Sequence, residues 1–398
     1  MKTLIELYDE RPLENVLSVD VFRPETVIYI CPDYIAADKS RLKILQRFFS
    51  GRGIYSNPVF FSTDIYSTGA IQKSFRDIIS HYPDCAIDIT GGTDDILFTA
   101  GMICAENPSL PVFTYSRKRN CFFNIKNAEF AESLACPLRY SVEDFFVMAG
   151  GSMRSGRFDN SLLKNYLPYI EPFFRVYLKN RNQWVDFISY MQKVTASDPG
   201  GAVKLNIKAP YQVNARQGHR ISANEQILNS LQETGFISQL QISDEHEVSF
   251  RFKDAQVRAW LRDVGSVLEL MTYKACLDTE KYYDVITSAV VDWETQRNHD
   301  AVSNELDVMA TCGVTPVFIS CKTCDVKTEA LNELAILRDR FGGQIARAAI
   351  VTAERGNSRM RNRAAKLGIS VIDLDDLEEG RLESELKAIA EDIHNQNN

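Results

Sequence analysis

Apolar runs alternate with amphipathic segments over the first third of the chain. Thr26–Cys31 (TVIYIC) reads as a strand buried on both faces, followed by Pro32 and Asp33. The pattern continues as helix 39–49, strand 59–62, helix 70–80, strand 85–90, helix 96–104 and strand 111–115. Such alternation predicts a parallel, doubly wound α/β sheet that receives ligands at the strands' carboxyl ends. The third strand runs through Asp88-Ile89-Thr90-Gly91-Gly92-Thr93-Asp94 straight into a helix. Gly91 and Gly92 predict close approach of a ligand to the backbone. Thr93 predicts a cap over helix amides that favour an anion. A Walker lysine motif and a GxGxxG are both missing, so triphosphate hydrolysis and nicotinamide chemistry have no support.

The middle of the chain changes character. A last helix of the first unit is expected at 141–151, followed by aromatic-rich helical sequence at 161–194 and a linker, ASDPGG, at 196–201. Helix 225–233 stops at Gly235 and leads into a hairpin, 236–242 and 247–252, which together suggest a winged-helix-like insert. Its helix offers Asn224, Gln226, Asn229 and Gln232 but no basic residue, so a packing module fits better than a reader of the major groove. Residues 255–277 follow the 3.6-residue period of one long amphipathic helix, with Trp260, Val264, Val267, Leu268 and Met271 on its stripe. An acidic strand (Glu305 to Val308) then turns at Gly313 and returns as Val317 to Ile319, ending in Ser320-Cys321-Lys322. Helix 328–341, strand 346–352, a polar helix and strand 370–374 complete the pattern. The expected division is 1–150, 151–254 and 255–398.

Composition narrows the class. At 398 residues, with 45% apolar and 25% charged positions, the chain is long enough for two or three soluble domains. No run has the apolar length of a membrane span, and no secretory segment opens the chain. Nine scattered cysteines without framework spacing favour reduced thiols and a cytoplasmic location. Cys321 and Cys324 form a CxxC with no second pair, which reads better as strand cysteines than as a zinc site. His81, His219, His246, His299 and His394 have no metal spacing, and His299, before Asp300, reads as a surface residue. A net charge of −8 argues against wholesale coating of nucleic acid. A cluster of Arg355, Arg359, Arg361, Arg363 and Lys366 reads as a local track for a phosphodiester backbone.

Alternate residues of a strand share a face, so Glu305 pairs with Asp307 and Ser320 with Lys322 at the edge of the expected hairpin. Carboxylates that hold a hard cation, beside an ammonium that positions water, are the kit for metal-assisted phosphodiester cleavage. The stretch resembles the PD-(D/E)xK nuclease core, with Asp307 as its aspartate and Lys322 as its lysine. Glu269 matches the glutamate that such nucleases carry on the preceding helix. Ser320 departs from the motif, standing where Asp or Glu is usual, and Glu305 is the candidate replacement. The Asp-x-Thr-Gly-Gly-Thr turn in turn resembles the CARF sensor domain of type III CRISPR systems. The two resemblances together imply a Rossmann-like CARF domain, a winged-helix-like connector and a restriction-endonuclease-like domain. The implied activity is a cyclic-oligoadenylate-activated nuclease that cuts RNA or DNA. The implied assembly is a homodimer whose sensor domains cup one cyclic tetra-adenylate. Carried over to this sequence, the ligand contacts are Cys31, Pro32, Asp33, Thr90, Gly91, Gly92 and Thr93. Ser62, Thr63, Ser116 and Arg117 are expected on the same rim. Glu269 and Asp307, with the Cys321 carbonyl, would hold Mn²⁺ or Mg²⁺. Two rivals stay open: a ligand-responsive regulator with an inactive nuclease fold, and a constitutive repair nuclease.

Overall fold

The N-terminal sheet begins at the third residue, earlier than the apolar pattern indicates. The structure, a computed structural model, describes residues 1–156, 160–196, 203–214, 220–243, 246–294 and 302–395. The expected linker beyond Ala196, and His219, His299 and Asp300, lie outside these residues. Strands β1 (Thr3–Leu7), β2 (Thr26–Cys31), β3 (Asn57–Ser62), β4 (Cys85–Asp88) and β5 (Val112–Ser116) are mutually parallel in the order β3-β2-β1-β4-β5. β6 (Cys121–Lys126) and β7 (Leu134–Ala135) extend the sheet antiparallel. The four anticipated strands are present, and β1 is an addition at their centre. Its five residues are all buried, including Glu6, whose charge type disguises the strand in the sequence. Strand order reverses at β1, so the crevice at the carboxyl ends of β1 and β4 is the topological switch point.

β8 (Ser152–Ser155) leaves this unit and joins the C-terminal sheet. Between the two sheets, helices Leu167–Lys179 and Arg181–Val194 precede β9 (Asn206–Pro210), β10 (Gln212–Asn214) and β11 (Arg220–Ser222). Helix Glu225–Glu233, β12 (Ile237–Ser243) and β13 (Glu247–Phe252) follow as expected, with β9 added to the hairpin as a third strand. The helix buries Ile227, Leu228 and Leu231. Two of its side-chain amides are engaged within the protein: Asn224 accepts from the Ile227 amide at 3.0 Å and donates to Gln183, and Gln232 accepts from the Leu240 amide at 2.9 Å.

The long helix expected at 255–277 is two helices, Ala255–Trp260 and Ser266–Asp278. The break has a local cause, because the Asp263 carboxylate accepts from the Ser266 amide at 2.8 Å and restarts the helix after Gly265. β14 (Asp284–Asp292) is a further addition. It pairs with β15 (Ser303–Cys312), which forms the expected hairpin with β16 (Thr315–Lys322). β17 (Arg347–Thr352) and β18 (Ile369–Ile372) continue in parallel, giving the order β18-β17-β16-β15-β14-β8.

Alternation along the strands divides the apolar side chains among three cores. Ile5, Ile28 and Ile87 face the helix residues Ile71, Phe75 and Ile96. Leu4, Val27 and Tyr29 face the other way, into a core that continues without interruption through Phe145 and Phe146 to Phe318, Leu334 and Phe341 of the C-terminal unit. Phe146 and Phe341 meet edge to face with ring centroids 4.9 Å apart. Val308, Val317 and Ile319 pack against a third core, built with Leu268, Trp260, Phe236 and Trp184 of the connector. No described helix is long and apolar enough to cross a membrane.

Candidate active site and ligand rim

The β15–β16 hairpin pairs Val308 with Ile319 and Cys312 with Thr315, and Gly313 makes the turn at φ +60°. Asp307 therefore comes against the end of β16. Its Oδ2 accepts from the Cys321 amide at 2.7 Å, the Ser320 hydroxyl at 3.0 Å and Lys322 Nζ at 3.1 Å. Among the described residues Oδ1 accepts no hydrogen bond. Burial alone would lower the Lys322 pKa, but the adjacent Asp307 carboxylate outweighs it and carries the lysine above its ordinary value. Glu269, in the first turn of Ser266–Asp278, is 3% exposed, and its field reaches both Cys321 and Lys322. The structure thus brings Asp307, Lys322 and Glu269 together. Ser320, in the place of the usual acid, steadies Asp307 through its hydroxyl. The Cys321 thiol is buried against the Thr272 hydroxyl, and burial holds its pKa well above the usual range.

Glu305 is exposed on the wall of a cleft of about 340 Å³ that also contains Asp307, Ser320 and Lys322. Ala330, Glu333, Leu334 and Leu337 of helix Thr328–Gly342 form the opposite wall. Glu333 escaped the sequence reading. It accepts from Asn304 Nδ2 at 2.9 Å, while Asn304 Oδ1 accepts from the Trp293 indole at 2.7 Å. Glu333 falls one turn after Ala330, a periodic signal that becomes informative only once the hairpin is known to face that helix. The basic cluster is largely neutralised. Arg361 binds Asp373, Arg355 binds Asp375 at 2.7 Å, and Arg363 donates to Asn332 at 2.8 Å. The acidic residues that follow this segment fold back onto Arg355 and Arg361, so the expected phosphodiester track reduces to Arg359, Arg363 and Lys366.

The rim residues occupy neighbouring strand ends. Cys31 closes β2, but its thiol is buried and its pKa is pushed up to about 12 by burial, so it offers backbone only. Pro32 is buried at the start of a short helix, and Asp33 accepts from the Ser62 hydroxyl. Thr63 is buried, its hydroxyl accepting from Ser74 at 3.0 Å. Thr90 is held by Asp88 through its amide at 2.8 Å and accepts from the Tyr115 amide at 2.8 Å. Thr93 occupies the N-cap position of helix Asp94–Glu106, yet its side chain makes no capping bond. The glycines answer to a different demand from the one expected. A Cβ on Gly92, at φ +96°, would lie 2.7 Å from the Leu7 Cβ, and one on Gly91 would lie 2.9 Å from the Leu7 carbonyl oxygen. Close packing on β1 requires both.

The loop after β1 was invisible to pattern reading and stands in the middle of this rim. Asp9 accepts from the Gly92 amide at 3.2 Å and from Arg11 Nε at 2.8 Å. Burial pushes the Asp9 pKa up, but its bonds from Arg11 prevail and lower it. Glu14 pairs with Arg117 and lies 3.7 Å from Arg11. Ser116 Oγ accepts from the Arg119 amide at 3.3 Å. The other side of the same loop, Pro12 to Glu14, faces Phe341, Gly342 and Gly343 across a small crevice.

Comparison with known proteins follows these divisions. Residues 256–392 match the family model described as the Card1-like endonuclease domain. No curated protein matches the chain in sequence. Among solved structures, protein VC1899 from Vibrio cholerae superposes with a TM-score of 0.76 at 19% identity, covering 98% of each chain. Can2 from Sulfobacillus thermosulfidooxidans, solved in complex with cyclic tetra-adenylate, superposes at 0.71 with 16% identity, covering 96% of this chain and 99% of its own. Residues 256–392 are thus similar to a Card1-like endonuclease domain, on a chain whose fold over nearly its full length resembles that of VC1899 and Can2.

Proposed function

We propose that this chain is an endonuclease of type III CRISPR antiviral defence, dependent on a divalent metal and switched on by a cyclic oligoadenylate, with cyclic tetra-adenylate as the ligand of choice. The convergence of Asp307, Lys322 and Glu269 inside a Card1-like endonuclease domain carries the nuclease part of the reading. The ligand part is supported by the likeness to Can2, which was solved with cyclic tetra-adenylate.

Among the described residues no group of three or more His, Cys, Asp or Glu is close enough to hold a metal ion. The donors still fit Mg²⁺ or Mn²⁺, which commonly take one or two protein carboxylates and complete their shell with water and substrate phosphate. The Asp307 and Glu269 carboxylates would offer hard oxygen donors, and the Cys321 carbonyl is the third candidate. A bound divalent ion would polarise the phosphodiester and offset developing negative charge. Ser320 and the Cys321 amide fix Asp307. Lys322, kept protonated by its acidic neighbours, orients an attacking water through its ammonium group. Glu305 supplies a further carboxylate in the cleft, in place of the acid absent at Ser320.

At the rim, Arg11 and Arg117 are neutralised by Asp9 and Glu14, and an anionic ligand would compete for these cations. The loop carrying Arg11 faces the nuclease helix at Gly342, which gives ligand entry a short mechanical route to the cleft. A homodimer places two such rims around one ligand. Phe98, 71% exposed, and Met102 project from the helix that opens at the ligand turn and suit that contact. Labelled RNA, single-stranded DNA and supercoiled duplex, incubated with Mn²⁺ with and without cyclic tetra-adenylate, test the whole reading. Ligand-dependent cleavage that is lost in Asp307→Ala is expected. Equal cleavage with and without ligand would leave the constitutive repair nuclease as the better description.

A further inference from the structure

The catalytic aspartate sits at a fault in its strand. The β14–β15 ladder pairs Thr287 with Val308 and Ala289 with Leu306, and between them Ser288 adopts φ +49°, a conformation uncommon for any residue inside a strand. Sidedness changes at the same place. Leu306 belongs to the core shared with the N-terminal sheet, whereas Val308 belongs to the connector core. Residues two apart on a regular strand share a face, so the chain is turned at Asp307.

A turned ladder releases backbone groups that must find other partners. Three of the substitutes come from the segment that follows the N-terminal unit. The Gly156 amide donates to the Ser288 carbonyl at 2.9 Å. The Asn160 carboxamide then stands in for a strand peptide: Nδ2 donates to the Thr287 carbonyl at 2.8 Å, and Oδ1 accepts from the Thr287 amide at 2.9 Å. Thr287, thus clasped, is fully buried, and its hydroxyl donates to the Asp307 carbonyl at 2.8 Å. Asp307 is therefore held at two points. Ser320, Cys321 and Lys322 fix its carboxylate, and Thr287 fixes its backbone.

We propose that Thr287, on β14, and Asn160, in the connector, are positioning residues for Asp307, setting the carboxylate for metal binding while touching neither substrate nor metal. The inference rests on the nuclease reading and adds to it two residues with no acid, base or charge of their own. It also gives the connector a bonded route to the catalytic centre, through Asn160, Thr287 and Asp307 in turn.

Thr287→Val removes the hydroxyl with little change of shape, and Thr287→Ser keeps it. The full-length protein would be assayed for kcat and KM with saturating cyclic tetra-adenylate, for Mn²⁺ affinity by calorimetry without substrate, and for thermal unfolding. The expected result for Thr287→Val is a fall in kcat of about tenfold, the equivalent of one lost hydrogen bond. KM should be unchanged, Mn²⁺ binding weakened several-fold, and Thr287→Ser restored on both counts. Asn160→Asp, which replaces the Nδ2 donor by an acceptor, should move kcat and Mn²⁺ affinity in the same direction, and it decides the matter if Thr287→Val does not fold. Wild-type kcat and Mn²⁺ affinity in these variants, even with a lowered melting temperature, would reduce both residues to scaffolding and overturn the proposal. Asp307→Ala, run alongside, separates the two failures: cleavage by that variant would sink the nuclease reading itself.

Discussion

Gly92→Ala tests the ligand rim with the smallest change available. Gly92 sits at φ +96°, and an added Cβ would lie 2.7 Å from the Leu7 Cβ, on the central strand β1. The backbone strain of placing an L-residue there is about 1–2 kcal/mol. Overpacking against a buried strand residue adds about 1–3 kcal/mol. The turn of the variant relieves that strain by moving, and a ligand that needs the native turn must restore it on binding. Even the lower bound of ~2 kcal/mol corresponds to about a thirty-fold loss of affinity. Cyclic tetra-adenylate binding would be followed by calorimetry, and stimulated cleavage would be measured across a wide range of ligand. A weaker Kd with the same maximal cleavage rate is expected, because the strained turn lies away from Asp307. Wild-type affinity in a destabilised variant would show that the turn does not contact the ligand. Wild-type affinity together with wild-type stability would refute the steric reasoning itself.

Further outcomes follow from the same geometry. Lys322→Ala should abolish cleavage while leaving ligand affinity intact, and a nuclease assay paired with a binding titration separates the two. Glu305→Gln should raise the Mn²⁺ requirement of cleavage while Glu329→Gln, exposed on the next helix, does not; superimposable metal titrations would assign Glu305 to solvent. Glu6 is fully buried beside Asp88, and burial, followed by the Asp88 charge, raises its pKa well above 4.5. Its contribution to stability is therefore complete below that value and lost as pH rises through the folded pKa, at a slope of up to about 1.4 kcal/mol per pH unit. Asp88, pushed up to about 6 mainly by burial, acts in the same sense. Denaturant unfolding from pH 5 to 8 should show a steeper decline for the wild type than for Glu6→Gln. Arg361→Ala strips a partner from the buried Asp373 and should cost about 1–2 kcal/mol of stability, with substrate affinity unchanged.

Legibility in the sequence tracked how far each signal was local. The hairpin at 303–322 was readable because alternation, a turn glycine and the Ser-Cys-Lys ending fall within twenty residues, and its acid and lysine do meet. Glu269 was within reach because helix periodicity survives the break at Asp263. β1 was not, since a buried glutamate in its fourth position imitates a solvated segment, and the loss of β1 hid Asp9, Arg11 and Glu14 as well. The reading of Gly91 and Gly92 was incomplete for the same reason: without β1 their packing against Leu7 could not be anticipated, and ligand approach was the one use in view. The arginine cluster misled in a different way. Its neutralising partners lie on a later helix, and a count of cations says nothing about which of them are already spoken for.

The core that runs from Tyr29 through Phe146 to Phe341 has a bearing on how such a chain can be rearranged. A beads-on-a-string protein exchanges its modules at the linker. Here the helix that walls the candidate cleft rests on its own sheet and, through Phe341, on Phe146 of the preceding unit, and the edge strand β8 is contributed by residues just past that unit. Cutting at residue 150 would strip Phe145 and Phe146 from the shared core and uncover Phe341, leaving the fragment with an apolar face of the kind that drives aggregation. Recombination that exchanges either half must therefore carry the matching surface with it. Descent with coordinated drift, and not shuffling, is the route by which the two halves can diversify.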